Sequence, residues 1–184
     1  MSKLFIDPNI YTKRPDPDGR LDKEMRVYDL LEKLNIPFFR LDHESTATIE
    51  SCLKVEKILE IEISKNLFLC NAQKTNFYLL LMPGYKKFRT AELSKQLNIS
   101  RLSFAPGQYM EEFLDTTPGS VSVLGLMNDK NNKVQLLIDR QVLNQEFIGC
   151  HPCINTSSLK ISTKDLLNKF LPYTGHEPII VDLN

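Results

Sequence analysis

The chain has no excess of charge of either sign. Lys plus Arg and Asp plus Glu each number 23, so the net charge is +0 at pH 7. There is no global basic field, and a nucleic-acid partner has to be met by a local patch. No apolar run reaches the roughly 20 residues of a membrane span, so no membrane partner is expected. Residues 1–17 hold no apolar stretch of the signal-peptide kind, and a cytoplasmic location is expected. The phosphate-cradling glycine motifs and the Gly-x-Ser-x-Gly elbow are missing, and no Ser-His-Asp or Cys-His set has a local signature. An enzyme built from this chain has no obvious general base. It would lean on backbone donors and on its own substrate. There is no internal repeat and no low-complexity segment.

Cysteine is sparse: Cys52, Cys70, Cys150 and Cys153. The first two lie in apolar patterns and read as buried thiols, reduced in the cytosol. Cys150-His151-Pro152-Cys153 has the look of a metal or redox site. Tetrahedral zinc needs four ligands, and no second knuckle exists. A thioredoxin-type pair opens a helix, whereas Pro152 and Ile154-Asn155-Thr156 read as loop. The expectation is no metal and no other cofactor. His43, His151 and His176 all fall in predicted turns, and His151, beside Gly149 and Pro152, is the best functional candidate of the three. Glu111 and Glu112 read as a solvated pair on an exposed helix face.

What is present fits one domain: 184 residues, 42% hydrophobic and 25% charged. Pro8, Pro15, Pro17 and Gly19 mark residues 1–20 as an irregular arm, leaving 21–184 as the domain. Apolar spacing predicts a helix over 21–35 capped by Asp22, a strand over 38–42, and a polar turn over 43–48. A second helix over 49–60 follows, with Leu53 and Ile58 inward. A hairpin spans 65–82. Further helices are predicted over 90–97 (Ala91, Leu93 and Leu97 inward), 108–114 and 164–171, the last opened by a Ser162-x-x-Asp165 box. Strands are expected over 101–104, 133–139, 145–149, 158–162 and 179–181. Thr117-Pro118-Gly119-Ser120 is a turn. Residues 121–126 read as a strand broken at Gly125, a sign of a bulge or close backbone approach. Strands and helices mix without a βαβ repeat, which argues an α+β fold.

The central stretch is 63–69, a predicted core strand whose mouth carries Lys65 and Asn66. That pair is suited to an anionic ligand, and equally Lys65 is suited simply to snorkel to solvent.

Several motifs then coincide in order: Ser64-Lys65-Asn66-Leu67-Phe68-Leu69, Arg101-Leu102-Ser103-Phe104, Thr117-Pro118-Gly119-Ser120-Val121-Ser122, Gly125-Leu126-Met127-Asn128-Asp129, and Gly149-Cys150-His151-Pro152 with Asn155-Thr156. Together they resemble the YbaK-like prolyl-tRNA synthetase-associated editing domains, free-standing branch, over roughly 21–181. The resemblance implies a single α+β domain with a mixed, highly curved, barrel-like sheet flanked by helices. It implies hydrolysis in trans of mischarged tRNA(Pro), with alanyl-tRNA(Pro) as substrate and the tRNA(Pro) acceptor end as partner. Transient contact with prolyl-tRNA synthetase or an elongation factor is a further expectation. Lys65, Gly119 and His151 are the implied catalytic residues. Lys65 would hold the acceptor-end phosphate with Asn66 beside it. The Gly119-Ser120-Val121 loop would approach the ester and the terminal ribose, and Gly125, Asn155 and Thr156 would help bind substrate. The family's Gly-x-x-x-Pro pattern starts at Gly119, but Val123 stands in its proline position, which bears on the loop's stiffness. The two cysteines fall outside the pattern.

Such chemistry suits the inventory. An aminoacyl ester is already activated, and the substrate's 2′-hydroxyl is implied to orient the water. One methylene is worth only about 1–3 kcal/mol of discrimination, so a steric wall must exclude proline. Lys54, Lys57, Lys86, Lys87 and Arg89 are candidate phosphate contacts. Two other readings stand beside this one: a non-catalytic tRNA-binding or regulatory module, and a deacylase for another mischarged tRNA such as cysteinyl-tRNA(Pro).

Overall fold

The strands of the computed structural model, which describes residues 5–45 and 49–184, fall into two sheets. Residues 1–4 of the expected arm and 46–48 of the expected polar turn lie outside the described residues. The smaller sheet is antiparallel: β1 (Phe38–Asp42) pairs with β7 (Ser157–Ser162), which pairs with β6 (Phe147–Cys150). The larger sheet is mixed. β4 (Ser103–Phe104), β2 (Ser64–Cys70) and β3 (Phe77–Pro83) are antiparallel, and β5 (Val134–Asp139) and β8 (Ile179–Val181) continue from β3 in parallel. The α+β class is as the sequence predicts.

Among the described residues the two sheets meet at one bridge, Ile63 to Gly149. A Cβ on Gly149 would lie 2.4 Å from Ile61 Cδ1 and 3.2 Å from Ile63 Cγ1. A Cβ on Gly84 would lie 2.4 Å from the Ile63 carbonyl oxygen. Ile63 is thus approached closely by two glycines, Gly149 of β6 and Gly84 in the turn after β3.

Helix α1 (Asp22–Lys33) buries Val27, Tyr28, Leu30 and Leu31 in the main core, which also takes in Leu159 and Ile161 of β7. Its N-cap is Leu21 with no side-chain bond, so Asp22 is the first helical residue rather than the cap. Helix α2 (Ile49–Leu59) turns Val55 and Leu59 onto Leu41. Leu53, expected inward, is 57% exposed, because Val55 and Leu59 take the contact with the small sheet. Helix α3 (Thr90–Leu97) seats Leu93 in a second core with Leu80, Met82 and Leu137, while Ala91 is exposed.

Residues 121–126 are not a strand. Helix α4 (Gly107–Leu114) is followed by a 3-10 helix, Val123–Asn128. Ser122 Oγ accepts the Leu124 N–H at 3.2 Å and opens that helix. Gly125 packs against α4, where a Cβ would come 3.0 Å from the Leu114 carbonyl. Close approach was the right reading of this glycine and strand the wrong one. Short helix α5 (Arg140–Leu143) follows β5. After β7, α6 (Thr163–Asp165), a π turn (Leu166–Phe170) and α7 (Leu171–Thr174) run on from one another. Ser162 Oγ accepts the Asp165 N–H at 3.3 Å, the expected cap.

The arm lies along the free edge of β1. Arg40 N–H donates to Tyr11 O at 2.7 Å, Tyr11 N–H to Arg40 O at 2.9 Å, and Asp7 N–H to Asp42 O at 2.9 Å. An unpaired strand edge is thereby covered.

Because the atom facing Gly84 is main chain, Gly84→Ala forces a backbone shift. Overpacking of this kind costs about 1–3 kcal/mol. The expected outcome is a lower urea midpoint with an unchanged denaturant slope.

Candidate active site

Side chains alternate along β2, which divides its polar residues between two sides. Ser64, Asn66 and Phe68 line a cavity of about 330 Å³, together with Ile63 and Leu67, and Lys65 does not. The other walls are Phe104, Met110, Pro118, Gly119, Val121, Cys150, His151 and Ser158. The cavity therefore sits at the seam between the sheets and is roofed by the 117–121 segment. None of its lining side chains carries a formal charge when His151 is neutral.

The roof is a tight turn. Ser120 N–H donates to Thr117 O at 2.9 Å, with Pro118 second and Gly119 third at φ +91°. This is the type II arrangement, which requires a residue tolerant of positive φ in the third place. The Ser120 hydroxyl donates to Thr117 O at 3.0 Å and accepts the Thr117 N–H at 3.0 Å. Ser120 is thus spent on holding the turn. Among the described residues, the amides of Gly119 and Val121 have no hydrogen-bond partner. Asn66 ties the roof to β2: its Oδ1 accepts the Val123 N–H at 2.8 Å, and its Nδ2 donates to Ser64 O at 3.2 Å.

The histidines have defined tautomers. His151 Nδ1 lies 2.8 Å from Ser157 O, and a carbonyl only accepts, so Nδ1 carries the proton. The neutral ring keeps its lone pair on Nε2, which has no partner among the described residues. His43 Nδ1 donates likewise to Glu44 O at 2.8 Å, and its Nε2 lies 2.8 Å from Ser158 Oγ. The two rings are 6.4 Å apart. Burial pushes both imidazoles below the ordinary value of 6.5. The bonds to Glu44 O and Ser157 O oppose this, and the nearby His43 lowers His151 further.

Of the residues singled out from sequence, the cavity brings together Asn66, Gly119, Val121 and His151. It does not bring Lys65, whose ammonium donates to Lys86 O at 2.6 Å. Gly125 packs on α4. Asn155 and Thr156 line a separate depression with Thr117 and Ser120, and Asn155 Nδ2 donates to Ser45 Oγ at 2.8 Å. Lys86, a candidate phosphate contact, is buried: its ammonium pairs with Asp139 Oδ2 at 2.8 Å and also bonds Leu183 O. Lys57, Lys87 and Arg89 are exposed. Cys150 and Cys153 are both buried. Burial pushes the Cys150 thiol well up and the Cys153 thiol to about 12, so neither is thiolate near neutral pH.

Sequence reasoning missed His43 and Ser158. A signal existed for Ser158: with Leu159 and Ile161 turned to the core, strand alternation puts Ser158 on the other face. His43 follows β1 directly, one residue beyond Asp42.

Residues 43–169 match the family model described as aminoacyl-tRNA editing domain. The chain is 28% identical over 146 residues to the prolyl-tRNA editing protein ProX of Acetoanaerobium sticklandii, a match covering 79% of this chain and 89% of that protein. It is 30% identical over 167 residues to prolyl-tRNA synthetase associated domain-containing protein 1 of Xenopus laevis, covering 89% and 97% of the two chains. A crystal structure described as a candidate trans-editing enzyme for prolyl-tRNA synthetase matches with a TM-score of 0.65 at 16% identity, over 90% of this chain and 99% of that one. A hypothetical protein matches with a TM-score of 0.66 at 18% identity, over 86% and 98%. At these identities the structural likeness concerns the fold alone.

Two outcomes follow from the site's hydrogen bonds. Asn66→Ala leaves the Val123 amide without its acceptor, at a cost of about 1–3 kcal/mol, and faster hydrogen exchange at that amide is expected. His43 and His151 bind protons less tightly folded than unfolded, where the value is about 6.5. Their contribution to stability is complete above about pH 6.5 and is lost as pH falls through the lower folded values. The urea midpoint should drop between pH 7 and pH 5, less steeply in His151→Asn.

Proposed function

The chain belongs to the aminoacyl-tRNA editing domain family, and we propose that it acts in trans as an aminoacyl-tRNA deacylase that clears mischarged tRNA(Pro), alanyl-tRNA(Pro) above all. One observation carries the reading: two unpartnered amides, Gly119 and Val121, share a cavity with the Nε2 lone pair of His151. Amides fixed in a turn are suited to an ester oxygen that gains negative charge as water adds. A neutral imidazole is suited to orient and deprotonate that water. Water's oxygen bonds to the ester carbon, the bond to the ribose oxygen breaks, and the proton passes to that oxygen, giving free amino acid and tRNA. The vicinal 2′-hydroxyl of the substrate assists in placing the water.

In this reading residues 21–184 form the editing unit and residues 1–20 an arm laid on it. Phe68, Phe104, Met110 and Val121 supply the apolar wall that admits a methyl side chain and rejects a pyrrolidine ring. Lys65 takes a positioning role. By holding the Lys86 carbonyl it fixes the segment that carries the exposed Lys87 and Arg89, which with Lys57 are suited to the acceptor-end phosphates. Asn155 and Thr156 flank the turn from its outer side and support it there.

Assay of the purified protein on alanyl-, cysteinyl- and prolyl-tRNA(Pro) tests this. Alanyl-tRNA(Pro) should be hydrolysed fastest, and His151→Ala should slow it by about 10²–10⁴-fold. Lys65→Ala should lose hydrolysis while its circular dichroism stays that of the parent. Binding of tRNA with no hydrolysis of any of the three would overturn the reading in favour of a binding module.

A further inference from the structure

The hydroxyl of Ser158 can face the cavity only as an acceptor. A relay of fixed polarity enforces this. The Glu44 carbonyl has no proton to give, so it takes one from His43 Nδ1 at 2.8 Å. The neutral ring then accepts at Nε2, and among the described residues the hydrogen it takes is that of Ser158, 2.8 Å away. Both ends are buried, His43 at 4% and Ser158 at 3% exposure, so solvent does not rescramble the bonds. The one proton Ser158 owns is committed, and what it presents to the cavity it lines is lone pairs. The carboxylate of Asp42 next in sequence adds a negative potential that His43 senses.

This bears on what the cavity holds. An aminoacyl ester offers two acceptors near the reacting carbon, the carbonyl oxygen and the ester oxygen. Its donors are the α-ammonium and the ribose 2′-hydroxyl. No lining residue brings a positive charge that would repel a cation. Resting on the deacylase reading above, we infer that Ser158 receives the α-ammonium group of the substrate and that His43 is the positioning residue that fixes its polarity. The site thereby recognises an aminoacyl group by its charged nitrogen as well as by the size of its side chain, and discriminates against acyl esters that lack one. Ser158 is a binding residue here. It forms no covalent bond, and the water attack proceeds as before.

The test compares alanyl-tRNA(Pro) with propionyl-tRNA(Pro), which has a hydrogen in place of the α-ammonium and adds no bulk. Each enzymatic rate is divided by that ester's spontaneous hydrolysis rate. The parent protein should accelerate the alanyl ester roughly ten- to a hundredfold more than the propionyl ester, the span of one charged hydrogen bond. In Ser158→Ala the alanyl acceleration should fall to the propionyl level while the propionyl acceleration is unchanged. His43→Phe, which frees the Ser158 proton, should likewise narrow the gap. Equal acceleration of the two esters by the parent protein would overturn the inference without any variant being needed. Equal slowing of both esters in Ser158→Ala would overturn it too, by making the residue merely structural. Hydrolysis of neither ester by the parent would instead overturn the deacylase reading on which it rests.

Discussion

The close approach of Gly149 and Gly84 to Ile63 is the constraint on which the remaining architecture depends. Two sheets, one antiparallel and one mixed, are joined there by the Ile63–Gly149 bridge. A side chain at Gly84 would press on Ile63 from within the larger sheet, and one at Gly149 would hold the two sheets apart. The separation would open the cavity along its floor, because Ile63, Ser64 and Cys150 all line it beside the seam. Dense interiors transmit such displacements rather than absorbing them. The site is therefore the place where two independently paired sheets are pressed together.

Polar groups around the cavity are arranged so that few choices remain. Ser120 closes the turn, Asn66 ties the turn's exit to β2, and two main-chain carbonyls dictate the tautomers of His43 and His151. What is left over belongs to residues that line the cavity: two amides, one imidazole lone pair and one hydroxyl oxygen. The sequence contains no conventional catalytic set because these groups are made by hydrogen-bond subtraction. Each becomes available when its neighbour's bonding capacity is used elsewhere.

That explains how far the sequence could be read. The strands and α1 were legible because alternation and helical spacing are local. The type II turn was legible because proline followed by glycine names it. Residues 121–126 were misread because the Val123 amide is satisfied by Asn66, far away along the chain, and no local pattern reports such a bond. The inner face of α2 was misjudged because Leu41, in another element, selects Val55 and Leu59 over Leu53. Of the pair Lys65 and Asn66 singled out in the sequence, Asn66 lines the cavity and Lys65 does not. Alternation sends neighbours to opposite sides but does not say which one meets the cavity. The family resemblance pointed to the glycine turn and His151, and it was silent on His43 and Ser158, whose pairing exists only once β1 and β7 lie side by side.

The pairing of β1 with β7 has a consequence in time as well as in space. The partners come from near opposite ends of the chain, with Phe38 against Ile161 and Asp42 against Ser157. Such long-range pairing is slow to form, since a large loop must close before any contact rewards it. During synthesis the hairpin of β2 and β3 can form early, yet the wall bearing His151 and Ser158 has not been made. A nascent chain thus displays half a cavity with its apolar floor uncovered. The pocket is completed only when β7 has left the ribosome, so ester-cleaving competence would arrive abruptly and late rather than growing with chain length.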